Sequence, residues 1–143
     1  MQAVGMIAKW RPVIYRGDGA WIGLLASGEL GVGTQSEERA SLEAAGMRPM
    51  WPFMEKSLPE CRDQFDSHWS ELRTPAFPAI DSLFSVTIST AWNSGSQYWM
   101  LRAANWLVEF ARTPGFERSI LTEVRDEMLM SDLVGDELRS RIW

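Results

Sequence analysis

Cys61 and His68 are the chain's one thiol and one imidazole, the side chains best suited to nucleophilic and general-base chemistry near neutral pH. Seven residues separate them. On a continuous helix that spacing gives them one face but sets them about 10.5 Å apart along the axis, too far to touch. Phe65, Trp69 and Leu72 share the face, so His68 reads as a hydrogen-bonded histidine at the core's edge rather than as a base. One Cys and one His leave a zinc site only carboxylates for its other ligands, and the Glu-x-x-His pattern of a carboxylate-bridged di-iron site is missing. The glycines of "GELGVGTQ" have no Lys followed by Ser or Thr, so they make no phosphate loop. Glu123 and Glu127, one helical turn apart, are surface neighbours rather than a glycosidase pair. These residues predict no catalytic site, no cofactor and no metal.

A second set of polar residues interrupts the apolar stretch "NSGSQYWMLRAANWLVEF" (93–110). Stepping 100° per residue gathers Tyr98, Arg102, Asn105, Glu109 and Arg112 into one stripe about 80° wide. Trp99, Met100, Ala103, Ala104, Trp106, Leu107, Phe110 and Ala111 fill the remaining circumference. That is the pattern of a central helix enclosed by neighbours, and it predicts that Trp106 and Phe110 are inaccessible. The stripe has two readings. Glu109 pairs with Arg102 or Arg112 on a solvated face, or Tyr98, Arg102, Asn105 and Glu109 line a polar seam that binds a small molecule, as an enzyme or binding protein would.

The elements that hold these residues are mostly helical. Thr34-x-x-Glu37 and Ser57-x-x-Glu60 have the form of capping boxes. The first predicts a helix over 36–45 stopped by Gly46, the second a helix over 58–72 with Pro59 in its first turn. TPAFP (74–78) forces a turn, and helices follow over 79–92, 97–112 and 116–129, with a short last turn from Ser131. The segment 47–54, MRPMWPFM, reads as an apolar loop packed over the core, or as a contact surface if the protein is a subunit or adaptor that self-associates there. Trp10, Trp51 and Trp143 fall in loops or ends, where an exposed Trp suits a partner. Seven of the 11 glycines lie in the first 33 residues. There, Arg16-Gly17-Asp18-Gly19 between apolar runs signals a hairpin, although AWIGLLASGEL also reads as a first helix ended by Gly28. The expected fold is a mainly α single domain of 143 residues. Residues 1–35 form a glycine-rich segment with a short β-hairpin, and 36–143 form a helical bundle.

Net charge is −5, from 19 acidic against 14 basic residues, which disfavours nucleic acid as a direct partner because phosphate affinity needs clustered positive charge. A single cysteine leaves no internal disulfide and fits a reducing compartment. No secretory signal is read in the opening residues, and no apolar run reaches the roughly 18 residues that a membrane span requires. A cytoplasmic location is expected.

The stretches "TPAFPAIDSLF", "AWNSGSQYW" and "ANWLVEF" resemble small helical bacterial proteins of uncharacterised families, among them immunity proteins of contact-dependent growth inhibition systems. The likeness covers about residues 48–112 and brings no motif with assigned functional residues. It implies a protein that binds and neutralises a cognate toxin, such as a nuclease domain, by blocking its active or substrate-binding surface. The residues add independent support. Glu60, Asp63, Ser67, Ser70 and Glu71 lie opposite the apolar face of the 58–72 helix, and an acidic surface steers onto the basic site of a nucleic-acid-directed toxin. Glu60, Asp63 and Glu71 are therefore the expected partner-binding residues, joined by Asp126 and Asp132.

Overall fold

The glycine-rich segment builds a sheet. The structure, a computed structural model, describes residues 9–115 and 118–143. Its first elements are β1 (Arg11–Tyr15), β2 (Trp21–Leu24), β3 (Leu30–Gly33) and β4 (Glu38–Ser41), an antiparallel sheet with neighbours in chain order. The Asp-Gly turn forms as its residues predict, with Gly17 and Gly19 at φ +109 and +90. Arg16 clamps the Asp18 carboxylate through Nε at 2.9 Å and Nη2 at 2.7 Å, and these bonds hold that carboxyl below its usual range. The helical alternative for AWIGLLASGEL, residues 20–30, does not form. Pro12 is tolerated because β1 is an edge strand, bulged between Pro12 and Ile14.

Strand alternation explains the glycines. Ile14, Ile22 and Leu30 enter the core from one face, while Gly23, Gly31 and Gly33 alternate with the apolar positions of β2 and β3. A Cβ at Gly31 would stand 2.4 Å from Leu25 Cδ2, and one at Gly33 would stand 2.9 Å from Trp10 Cζ2. The bare backbone lets these two side chains lie flat on the second face, where Trp10 Nε1 donates to Thr34 O at 2.7 Å.

The predicted 36–45 helix is absent, and the mainly α bundle with only a short hairpin is corrected to an α+β arrangement of a four-stranded antiparallel sheet and helices. Thr34 Oγ1 does accept from Glu37 N, at 3.0 Å, the bond a capping box needs. Here it closes the β3–β4 turn, because the residues after it pair with β3 instead of coiling. Gly46 and Met47, both at φ +64, then swing the chain into a 3-10 helix, Arg48–Glu55. Met50, Trp51, Phe53 and Met54 point from it into the core, so the segment is a core element, not an apolar loop, and Trp51 is not an exposed anchor.

The helices are α1 (Leu58–Asp66), α2 (Trp69–Leu72), α3 (Ile80–Trp92), α4 (Gln97–Ala111), α5 (Thr122–Leu129) and α6 (Asp136–Arg141), with a 3-10 turn, Arg118–Leu121, before α5. The predicted 58–72 helix is two helices, broken where Ser67 turns its hydroxyl back to Asp63 O at 3.0 Å. Of the predicted 116–129 helix, residues 116 and 117 lie outside the described residues, and the α-helical part begins at Thr122. α4 is the hub its pattern predicts: it packs on α3, α1, α6 and the 48–55 segment. Trp106 is 1% exposed and Phe110 fully buried. Among the described residues no helix is long and apolar enough to cross a membrane.

Candidate functional site

One of the acids, Asp63, and the last residues of the polar stripe, Glu109 and Arg112, come together where α1 begins and α4 ends. Ser57 caps α1 as predicted, its Oγ accepting from Glu60 N at 3.3 Å. A second cap comes from α4: Glu109 Oε2 accepts from Leu58 N at 3.1 Å. A helix start carries unsatisfied N–H groups and partial positive charge, and this draws Glu109 away from the Arg102 or Arg112 pairing that spacing permits. Trp106 ties the same junction, donating from Nε1 to Lys56 O at 2.9 Å.

The other seam residues do not converge with it. The Tyr98 hydroxyl donates to Glu55, Arg102 lies over the Tyr98 ring at 5.1 Å, and Asn105 Nδ2 donates to Leu101 O in its own helix at 3.0 Å. Glu109 lines an open hollow of about 490 Å³ between α1 and the end of α4. Pro59, Arg62 and Asp63 form one wall, Glu109, Arg112 and Pro114 the other. Arg62 is held by Asp81 at 2.6 Å.

Among the acids, Glu60 and Asp63 are neighbours on the exposed side of α1, and neither makes an ion pair among the described residues. Glu71, on α2, is engaged by Arg11 at 3.5 Å and by His68 Nδ1 at 3.0 Å. Asp126 belongs to α5 and is gripped by Arg125 at 2.7 Å, and Asp132 is exposed just beyond that helix. The structure therefore groups Glu60 with Asp63 and gives Glu71 and Asp126 partners of their own. Sequence reading passed over Asp66, which is also exposed on α1. Its place one turn after Asp63 was the available signal.

Comparison with protein-family models, curated proteins and solved structures found no match. The functional reading rests on this chain's own side chains.

Cys61 and His68 sit on opposite sides of the helix break. Cys61 is fully buried, its Sγ donating to Phe53 O at 3.4 Å, and burial pushes the thiol up from 9.0 to about 12. At pH 8 that leaves about 0.01% thiolate against about 10% for an ordinary thiol, so iodoacetamide should label the folded protein about 10³-fold more slowly than the unfolded one. Fast labelling of the native state would contradict this burial. Because the folded pKa is raised, the thiol's contribution to stability is complete below pH 9.0 and falls as pH climbs from there towards about 12. Among the described residues, no three His, Cys, Asp or Glu side chains are placed to hold a metal ion.

Proposed function

We propose that the protein is an immunity protein that binds a cognate toxin and blocks its active or substrate-binding surface. The observation that carries this reading is the pair Glu60 and Asp63: exposed, without ion pairs among the described residues, and side by side on a helix whose start is fixed twice, by Ser57 and by Glu109. Carboxylates held on a rigid element lose little freedom on binding, and unpaired charge at a surface accelerates encounter with a basic partner. Glu71 contributes less, since the Arg11 guanidinium already stands 3.5 Å from it.

The test is co-expression with the toxin encoded beside it, scored by growth, together with association kinetics of the purified pair. Wild-type protein should protect, and a lack of protection overturns the reading. Reversing both charges, Glu60→Lys with Asp63→Lys, should slow association about tenfold and flatten its dependence on salt. Glu71→Lys should slow it less. Thermal stability should fall by no more than about 1 kcal/mol for each Lys, the cost of opposing the start of α1 at Glu60 or Arg11 at Glu71, since all three side chains are exposed. Unchanged association in the double variant would leave the function but remove α1 from the interface.

A further inference from the structure

The hollow between α1 and the end of α4 has the proportions of a small-ligand site. Its volume is about 490 Å³, and pockets that hold small molecules run from roughly 300 to 1,000 Å³. Such pockets are mostly apolar, with a few placed polar groups that orient the ligand. Here Pro59 and Pro114 supply hydrocarbon, and Arg62, Asp63, Glu109 and Arg112 bring four formal charges.

Two of the four charges are engaged within the fold. Asp81 holds Arg62 at 2.6 Å, and Glu109 turns Oε2 to Leu58 N at 3.1 Å. Asp63 and Arg112 remain. Both are exposed, and among the described residues neither makes an ion pair, with the other or with any third side chain. They stand on separate elements, Asp63 in α1 and Arg112 at the C-terminal cap of α4. A free carboxylate and a free guanidinium therefore border one space across a gap that they do not close themselves.

We propose that this hollow binds a small aliphatic amino acid, a molecule with one ammonium and one carboxylate on an apolar body. The ammonium meets Asp63, and the carboxylate meets Arg112, whose guanidinium offers it paired N–H donors. The hydrocarbon lies against Pro59 and Pro114. A cation alone would leave Arg112 unanswered, and an anion alone would leave Asp63 so. This goes beyond toxin neutralisation, because the ligand is a small molecule and the protein needs no second chain to bind it.

The probes are norleucine, its isomer ε-aminocaproate, and the single-charge analogues hexylamine and caproate, each titrated into the whole protein and followed by backbone amide shifts. At least one of the two isomers should bind about three- to fivefold more tightly than either analogue, the scale of one exposed ion pair. Its shifts should gather at residues 60–63 and 109–113. Asp63→Asn should lower that isomer to the affinity of caproate without weakening caproate itself. Arg112→Gln should lower it to the affinity of hexylamine without weakening hexylamine. Absence of saturable shifts, isomers that bind no more tightly than the single-charge analogues, or affinities indifferent to both substitutions would overturn the proposal.

Discussion

Trp106→Ala is expected to cost about 3–5 kcal/mol of folding stability. The indole ends a run of buried rings. Phe53 meets Phe65 with centroids 5.2 Å apart, Phe65 meets Phe84 at 5.4 Å, and Phe84 meets Trp106 at 5.0 Å. Truncation opens a cavity at the end of this run and leaves the Lys56 carbonyl without its 2.9 Å donor. Close packing around α4 limits how far neighbours can relax, so the loss should approach the upper end of the range. On a domain worth about 5–15 kcal/mol in all, the melting temperature should fall by about 10 °C or more, read by circular dichroism or calorimetry. Trp106→Phe should recover about half the loss, since it restores ring volume but not the N–H. An alanine variant that melts within about 2 °C of wild type would remove α4 from its role as hub.

Gly23→Ala should cost about 3 kcal/mol, although it adds a single methyl group. A Cβ there would stand 1.9 Å from the Arg11 carbonyl oxygen and 2.9 Å from Pro12 Cα. Both are backbone atoms, so no rotamer change relieves the clash, and β1 must move off β2. Gly28→Ala makes an informative contrast. It meets no atom within 4 Å, yet it holds φ +91, so its cost is the backbone strain of a left-handed residue, about 1 kcal/mol. Urea unfolding of the two variants should separate them by about 2 kcal/mol, and equal stabilities would contradict the close crossing of β1 and β2.

The helices were legible because their signals are local. Ser57 caps α1 at its expected position, accepting from Glu60 N, and the apolar circumference of α4 fixes its burial without reference to any long-range contact. The sheet was not, because its pattern is written in absences. Gly23, Gly31 and Gly33 occupy the places where a strand shows alternating side chains, and only the Cβ distances to Leu25, Trp10 and Arg11 reveal what fills them. Thr34 shows the limit of local reading: its bond to Glu37 N is the predicted one, and long-range pairing decides whether a helix or a hairpin follows. The same limit governs the site. Glu60 and Asp63 were legible as exposed acids, whereas Glu109 reaches α1 across 51 positions, a partner that spacing within one helix could not indicate.

The order β1-β2-β3-β4 also sets a timetable. Each strand pairs with the one just before it in the chain, so the sheet closes through short loops, and hairpins of this kind form within microseconds. During synthesis at about 5–20 residues per second, the 65 residues from Ser41 to Trp106 take roughly 3–13 s. The sheet is thus complete long before the helix that anchors the core exists, with Ile14, Ile22 and Leu30 still open to water. Arg11 on one edge strand and Glu38 with Arg39 on the other place charge along both borders during that interval, discouraging a second nascent chain from adding a strand. A glycine replaced in the sheet would therefore act twice, by weakening the finished protein and by lengthening the time its apolar face spends uncovered.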